Sequence, residues 1–553
     1  MLRRKPADRL PIKISIGGAY MHQIKNRKVY LCLIVILLLF FTVSCSSLPA
    51  VSAGSSADVT AASLPLEGST DSSALTLETT ADILQSAKVT AGEEPTPAEE
   101  IPSGNQYNMA LTLDIENHSI GGTETVIVQN NSGDTWNELC FRDYPSLFTA
   151  DGQSGYDSNG SISDISGMRD LTKDAALTFT RDADDVSVVY VNFSVPLKAG
   201  ESRKIQFDFT AYVPALKSRY GYSESVYNLA NFYPILAVYE NGGWNTEKYF
   251  LWGECFYSIV SDYQVTLTVP SGYTMISSGL CAMSASTDEE TTWSISAADV
   301  RDFAVVTGLG FDVTSKSVDG VRVNSYYLNG DKSQGEASLE AAAAALAVFN
   351  ETFGDYPYPE LDIVETYLDS GGMEYPAIVM IRESLSDSTD KGSYLKIVVA
   401  HEVAHQWFYG MVGDNQYREA WLDESFASYC ELVYMETFTE RKDIQSEVDN
   451  LEASLESEGI PQTKEDYYIN RSYDEFESDT AYTYTVYMRG EVFLYRLREA
   501  MGTDAFNTAM KEYVAEYTFQ VASTDDFQAV INKYAKDNPD VQALLAKYIR
   551  EDS

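Results

Sequence analysis

The sequence is poor in several residues from which functional sites are often built. Only four histidines occur among 553 residues, and 39 basic residues stand against 82 acidic ones, which leaves a formal net charge of -43. Such a charge repels polyanions, so we expect no nucleic-acid partner. The acidic residues are interpreted as a solvated exterior, with attraction of basic substrates as the alternative.

Cysteine is scarce as well, and the six cysteines form no CxxC pattern. This spacing argues against a cysteine-based metal site and against a dense disulfide framework. Four cysteines fall in the part of the chain that should fold. We predict that they are buried free thiols rather than disulfide partners, the alternative that the sequence leaves open: Cys140, Cys255, Cys281 and Cys430.

Long apolar runs are rare, and the most apolar one lies near the N-terminus. "VYLCLIVILLLFFTV" at 29–43 follows the basic segment "QIKNRK"; it is short for a membrane span and typical of a signal-peptide core. It leads into "TVSC", which resembles a bacterial lipobox. Residues 1–45 are therefore predicted to be a signal peptide whose Cys45 is lipidated, giving an extracytoplasmic, membrane-anchored bacterial lipoprotein. An uncleaved apolar membrane anchor is the alternative.

Three segments follow the predicted signal peptide. Residues 46–103 are rich in Ser, Thr, Ala, Pro and Glu, and cannot bury enough apolar surface to offset their chain entropy, so we expect a disordered stalk. Residues 104–320 alternate polar and apolar side chains, as in "YNMALTLDI", and predict an all-β sandwich or saddle. Residues 321–553 combine helical patterns such as "GEASLEAAAAALAVFNETFG" with strand-like "ELDIVETYL" and "AIVMI". They predict a mainly α-helical α/β domain.

Two of the histidines, His401 and His405, are four residues apart in "VVAHEVAHQWFYG". In the helix predicted to start near Ser393, this spacing puts both side chains on one face, so that both imidazoles can bind one ion. Glu402 lies beside that ion rather than on it. A catalytic zinc site needs a third protein ligand and an open coordination position.

Glu424 in "WLDESFASY" is the predicted third ligand. Eighteen residues, 406 to 423, separate it from His405, enough for the chain to end one helix, turn, and return with Glu424 facing the histidines in a second helix capped by Asp423. Two histidines and a glutamate form a catalytic zinc set, so we expect one Zn²⁺ per chain. The alternative is that the histidines are hydrogen-bonded polar residues of a core helix.

"HEVAHQW", the spaced Glu424 and "GGMEYP" at 371–376 together resemble the aminopeptidase N family of zinc metallopeptidases, the gluzincin aminopeptidases. Over about residues 105–553, the resemblance implies a β-saddle followed by a thermolysin-like catalytic domain. Only 66 residues follow Tyr487, so we expect a short form that lacks the family's C-terminal helical domain and has a more open cleft.

The resemblance also implies roles for individual residues. Glu402 is expected to be the general base that takes a proton from the attacking water and hands it to the leaving amine, and Tyr487 is expected to stabilise the oxyanion. Tyr482 and Tyr484 lie close by in the sequence, and a core position for Tyr487 is the alternative.

The segment "GGMEY" is similar to the family's substrate-binding motif Gly-Ala-Met-Glu-Asn, with Gly371, Gly372, Met373 and Glu374 as its substrate-binding residues. The resemblance implies that Glu374 binds the free α-amino group of a peptide, which leaves room for one residue before the scissile bond. Gly372 and Tyr375 stand where the family usually has alanine and asparagine. Without the family, the segment would be a glycine turn with a surface glutamate.

These expectations favour a zinc aminopeptidase that trims peptides with a free N-terminus at the cell surface. One alternative is a zinc endopeptidase, if the open cleft lets peptide chains pass Glu374. A catalytically silent surface-binding lipoprotein that keeps zinc for structural reasons is the other. The sequence leaves open the preferred side chain, the physiological substrate and the oligomeric state.

Overall fold

The computed structural model describes residues 104–148, 163–250, 253–254, 256–385, 393–438, 444–457 and 468–550. The predicted signal peptide with Cys45, the predicted stalk and Cys255 lie outside the described residues. Cys140 and Cys430 are buried free thiols, as predicted, whereas Cys281 is a free thiol that is only half-buried. Within the described ranges, no helix combines the length and the apolar character needed to cross a membrane.

The first half of the described chain is built from strands and one 3-10 helix, Tyr144–Phe148. In chain order the strands are β1 (Asn105–Asp114), β2 (Ser119–Gln129), β3 (Trp136–Arg142), β4 (Asp164–Asp170), β5 (Ala175–Ala176), β6 (Thr178–Arg181), β7 (Val188–Leu197), β8 (Ser202–Tyr212), β9 (Tyr220–Ser223), β10 (Val226–Ala230), β11 (Ile235–Leu236), β12 (Tyr239–Glu240), β13 (Gly243–Trp244), β14 (Ser261–Pro270), β15 (Thr274–Ser277), β16 (Leu280–Ser286), β17 (Glu290–Val300) and β18 (Ala304–Gly308).

Eight of these strands form the largest sheet, in the order β16-β17-β14-β1-β2-β8-β4-β5. Its neighbours are antiparallel except for the parallel pair β1 and β14. Two four-stranded sheets, β15-β18-β10-β9 and β11-β3-β7-β6, accompany it. The alternating pattern of β1 places Tyr107, Met109, Leu111 and Leu113 in the core, as expected for a strand with one buried face. The predicted all-β unit is therefore confirmed.

The second half contains one mixed sheet and most of the helices. The strands are β19 (Phe311–Val318), β20 (Val321–Leu328), β21 (Glu360–Thr366), β22 (Gly372–Met373) and β23 (Ile378–Arg382). The helices are α1 (Lys332–Phe353), α2 (Ser393–Ala404), α3 (Trp421–Phe438), α4 (Ile444–Ser457), α5 (Asp479–Tyr482), a π-helix (Thr483–Arg489), α6 (Gly490–Met501), α7 (Thr503–Tyr517), α8 (Thr524–Ala535) and α9 (Pro539–Tyr548), with a 3-10 helix at Tyr473–Glu475.

The mixed sheet has the order β19-β20-β21-β23-β22, with parallel pairs at its centre and antiparallel pairs at its edges. The predicted helix and both predicted strands are present as α1, β21 and β23, and α1 begins at an Asp331 cap and ends at Gly354. This mainly helical α/β half confirms the predicted fold class. The domain boundary predicted at residue 320 falls in the turn between β19 and β20, and both of those strands belong to the mixed sheet.

Arg301, at the end of β17, joins the two halves. Its guanidinium is buried and donates hydrogen bonds to the carbonyl oxygens of Tyr409 (2.7 Å), Gln520 (2.9 Å) and Ser258 (3.0 Å). A side chain at Gly413 would collide with it, because a Cβ there would lie 2.0 Å from the arginine Cζ. The β half is thereby fixed to the segment that follows His405.

Candidate active site

The two histidines lie where α2 ends. His401 is in the last turn of α2, and His405 comes one residue after Ala404, the last α-helical residue. The His405 amide still donates to the His401 carbonyl oxygen at 3.4 Å, so the helical geometry continues to His405. Their ring centroids are 4.9 Å apart. The spacing of four residues therefore brings both imidazoles to one face, as predicted.

Glu424 faces both histidines from the first turn of α3. Its Oε2 atom is 3.3 Å from His401 Nε2 and 3.5 Å from His405 Nε2. Nitrogen and oxygen ligands about 2.0 to 2.1 Å from a tetrahedral zinc ion lie roughly 3.4 Å from one another. The chemistry and the separation of these three donors therefore fit Zn²⁺.

Two carboxylates orient the histidines, a role that the sequence did not reveal for either of them. His401 Nδ1 is 2.9 Å from Glu431 Oε1, and His405 Nδ1 is hydrogen-bonded to Asp423 Oδ1. Because each Nδ1 atom has a carboxylate partner, both Nε2 atoms are left to face Glu424. Carboxylate partners orient zinc-bound histidines in the same way. Glu431 follows Glu424 by two helical turns (431 - 424 = 7), and this spacing could have identified it.

The predicted role of Asp423 as a helix cap was wrong. Helix α3 begins at Trp421, so Asp423 lies inside its first turn. Its second carboxylate oxygen accepts a hydrogen bond from Gln416 Nε2 at 2.9 Å. One carboxylate oxygen is hydrogen-bonded to Gln416 and the other to His405, so Asp423 orients the histidine and does not cap the helix.

Three carboxylates, Asp423, Glu424 and Glu431, contact the two histidines, and these groups shift one another's pKa values. Burial by itself would lower the pKa of His401, but hydrogen bonds to Glu424 and Glu431 raise it to about 10. Burial would raise the pKa of Glu424, yet its hydrogen bonds to the two histidines hold that pKa well below the usual range. A divalent cation would neutralise part of the charge of these carboxylates, which is a second reason why the residues fit zinc.

Glu402 lies beside the three donors, as predicted. Its carboxyl is buried, and the burial raises its pKa to about 7, although His401 and His405 oppose the increase. A base with a pKa near the working pH is suited to both accepting and donating a proton. The side chain lies against Gly372, where a Cβ would be only 2.4 Å from Glu402 Oε1.

Tyr487 reaches the site from the π-helix, which the sequence did not predict. Its hydroxyl donates a hydrogen bond to Glu424 Oε1, and its ring is stacked 6.0 Å from the ring of His401. Close packing beneath it depends on Gly490, because a Cβ there would lie 1.8 Å from Ser425 Oγ. Ser425 in turn donates to the Val486 carbonyl oxygen. These contacts fix the π-helix against α3.

The predicted substrate-binding motif forms the edge strand β22 and the residue after it. Gly372 and Met373 pair with Ile381 and Met380 of β23, and Gly371 precedes them. Glu374 is buried, and its Oε1 has no hydrogen-bond partner among the described residues. Burial and the nearby Glu254 raise its pKa well above the usual range.

Glu374 also lies close to the histidine face. Donor atoms of Glu374, His405 and Asp423 all lie within 4.8 Å of one another, as do those of His401, His405 and Glu424. His405 Nδ1 is already bound to Asp423, so the second set is the one that fits zinc. Glu374 therefore stands next to the proposed ion without being needed as its ligand.

Glu254 and Arg219 bring the β half to the site. Glu254 is buried and forms an ion pair with Arg219, and its charge acts on the pKa values of Glu374 and Glu402. No motif marks either residue, and more than a hundred positions separate them from Glu374. The predicted zinc, base, tyrosine and motif residues thus meet at one place, and the structure adds a carboxylate from the β half.

The fold and the site together present the donor set typical of a zinc metallopeptidase, an HExxH helix and a separate glutamate. Residues 337–548 match the peptidase family M1 domain. Over these residues the chain resembles the aminopeptidase N-like members of this family.

Several known proteins are similar to this chain. Aminopeptidase M1-B of Oryza sativa subsp. japonica is 28% identical over 240 residues, which cover 42% of this chain and 27% of that protein. Aminopeptidase M1-A of the same organism is 25% identical over 365 residues, 63% of this chain and 40% of that protein. The chain thus spans between a quarter and two fifths of the length of these two relatives.

An M1 zinc metallopeptidase from Deinococcus radiodurans shares the fold with a TM-score of 0.59, at 18% identity, over 81% of this chain and 94% of that chain. A mutant of the same protein bound to a Tyr-Ser-Ala substrate has a TM-score of 0.58 at 17% identity, over 82% of this chain and 96% of that chain. At this identity the likeness supports the two-part fold.

Proposed function

We propose that the protein is a zinc aminopeptidase that removes N-terminal residues from peptides. The observation that carries this proposal is Glu374, a buried carboxylate with one oxygen unpaired among the described residues, beside the His401, His405 and Glu424 donors. A buried carboxylate is costly unless a cation or hydrogen-bond donor satisfies it. The α-ammonium group of a peptide supplies both, and Glu374 would place that group one residue from the scissile bond.

The remaining residues have roles that follow from their positions. Zinc, when bound, would act as a Lewis acid toward the water and the peptide carbonyl. Glu402, with its pKa near 7, would take a proton from the attacking water and return it to the leaving amine. The Tyr487 hydroxyl, which reaches Glu424, would donate a hydrogen bond to the developing oxyanion.

The exopeptidase proposal is tested with a pair of peptides that differ only in N-terminal acetylation. Acetylation removes the positive charge that Glu374 would bind, so the free peptide should lose residues one at a time from its N-terminus and the acetylated peptide should stay intact in mass spectrometry. Internal cleavage of both peptides would favour a zinc endopeptidase. Cleavage of neither by zinc-loaded protein would favour a silent binding lipoprotein.

We further propose that the enzyme works outside the cytoplasm on a lipid anchor. The support is sequence alone: the apolar run at 29–43 and "TVSC" ending at Cys45. In cells fed labelled palmitate, the protein should be labelled and found in the membrane fraction, and Cys45→Ala should abolish the label. Unlabelled protein in the membrane fraction would indicate an uncleaved apolar anchor.

A further inference from the structure

Tyr375, directly after Glu374, joins the substrate-binding motif to the β half of the chain. Its side chain is buried, and its hydroxyl donates a hydrogen bond to Asn231 Oδ1 at 3.0 Å. Asn231 follows β10 and has a positive φ of 49°. An asparagine, the residue usual in the family at position 375, is shorter than tyrosine by most of a ring. This contact therefore depends on the residue by which the motif departs from its family.

The hydrogen bonds continue from Asn231 through the junction of the two halves. Asn231 Nδ2 donates to Asp302 Oδ1 at 3.3 Å, and Asp302 also accepts from Ser258 Oγ at 2.7 Å. The second oxygen of Asp302 accepts a hydrogen bond from the hydroxyl of Tyr409. Asn231 and Asp302 are both buried, where hydrogen bonds in a low-dielectric network are strong and costly to break. We call Tyr375, Asn231, Asp302 and Tyr409 the junction chain.

The far end of the junction chain lies close to the zinc site. Tyr409 follows His405 by four positions and has a φ of 111°, a backbone conformation that residues other than glycine rarely adopt. Its carbonyl oxygen accepts from Arg301 Nε at 2.7 Å, and its amide donates to the Val412 carbonyl oxygen at 2.8 Å. A strained residue persists only when its surroundings fix it from several sides. The β half is one of those sides.

Gln406 makes a second, direct connection between the HExxH segment and the motif. Its Oε1 accepts from the Ala377 amide at 2.9 Å, and its Nε2 donates to the Tyr375 carbonyl oxygen at 3.2 Å. The main chain of the motif is thus attached to the HExxH segment by Gln406. The Tyr375 side chain attaches the motif to the β half through the junction chain. Glu374 directly precedes Tyr375, at which both attachments act, and its own carbonyl oxygen accepts from Gln406 Nε2 at 3.4 Å. Together these contacts constrain where its carboxylate stands relative to His405.

We infer that the junction chain is a positioning device for Glu374, so that the β half of the enzyme contributes to its preference for a free α-amino group. The inference rests on the proposed aminopeptidase function. None of the four residues needs to touch the substrate. They act through Glu374, whose displacement by about 1 Å would be enough to weaken a charge-assisted contact that depends on orientation.

The test uses full-length Tyr375→Phe, which keeps the ring and removes the hydroxyl. We expect KM for an aminoacyl p-nitroanilide to rise about three- to tenfold, the factor that corresponds to one buried hydrogen bond, with zinc content and kcat near those of the wild type. Inhibition by free leucine should weaken by the same factor. Inhibition by the matching hydroxy acid, which lacks the amine, should change less than twofold.

A second variant and a control keep the test decisive if Tyr375→Phe folds poorly. Tyr409→Phe removes the hydroxyl at the far end of the junction chain and should give the same selective loss for amines. Tyr220→Phe is the control, since it removes a buried hydroxyl that donates only to the Tyr212 carbonyl oxygen at 2.9 Å inside the β half. It should leave the kinetic constants unchanged.

Two outcomes would overturn the inference. In one, both junction variants retain the wild-type KM; in the other, leucine and the hydroxy acid lose inhibition equally, which a purely structural role would produce. Failure of the proposed function looks different, because the wild-type enzyme would then show no preference for free over acetylated N-termini. In that case the inference about the junction chain would be wrong as well.

Discussion

Gly372→Ala is predicted to disable the enzyme by moving its general base. A Cβ at this position would lie 2.4 Å from Glu402 Oε1 and 2.6 Å from both Cδ and Cγ, whereas ordinary contacts begin near 3.4 Å. The carboxylate would therefore have to move by about 1 Å. The change is toward the family's usual residue, yet Glu402 fills this space here.

The expected effect is a loss in kcat of about 10²-fold, the scale associated with a catalytic group misplaced by about 1 Å. Steady-state hydrolysis of an aminoacyl p-nitroanilide measures kcat, and metal analysis of the same sample shows that zinc is retained, because none of the three donors moves.

Gly371→Ala is the matched control. A Cβ at Gly371 would meet its nearest neighbour, Tyr394 Oη, at 3.5 Å, an ordinary contact. Its kcat should stay within about twofold of the wild-type value, since no catalytic group has to move. If Gly372→Ala, fully loaded with zinc, were as active as Gly371→Ala, the reasoning about Glu402 would be refuted.

Three further predictions concern two residues of the site and Glu365, a buried carboxyl in β21. Glu431→Gln should weaken zinc binding by about 10- to 100-fold in competition with a chelator, because His401 loses its anionic partner; unchanged affinity would contradict that role. Tyr487→Phe should lower kcat by about 10²-fold with zinc retained, since a donor to the oxyanion is lost; equal kcat would assign that role elsewhere. Burial raises the pKa of Glu365 to about 7, so the folded protein holds the Glu365 proton more tightly than the unfolded chain does. The contribution of this carboxyl to the free energy of unfolding is complete below about pH 4.5 and is lost as the pH rises through 7. Wild type should therefore lose about 1 to 3 kcal/mol relative to Glu365→Gln between pH 5 and 8 in thermal unfolding, and parallel curves would count against this.

The features that sequence predicted best are those set by local pattern. The alternation in β1, the alanine-rich α1 and the spacing of His401 and His405 each follow from the period of one element, and that period is visible in neighbouring residues. The fold class follows from the same patterns. The predicted meeting of Glu424 with the histidines needed one more assumption, that α3 returns against α2.

The unpredicted features depend on contacts between distant segments. Glu254 meets Glu374 only because the β half packs on the mixed sheet, and no pattern in "WGECFYS" indicates this. The π-helix that carries Tyr487 depends on the close approach of Gly490 to Ser425. Asp423 is a further case. Aspartate is common at helix caps, but here its carboxylate is hydrogen-bonded to His405 and Gln416, which lie outside its own helix.

The central claim, that Glu402 is the base of a zinc aminopeptidase, is tested most directly by Glu402→Gln. Wild type and variant, purified without residues 1–102, are compared by zinc analysis and by hydrolysis of a panel of aminoacyl p-nitroanilides. We predict one zinc per chain in both proteins and a fall in kcat of about 10²- to 10⁴-fold in the variant, since glutamine keeps the shape but accepts no proton. Equal activity of the two zinc-loaded proteins would contradict the account.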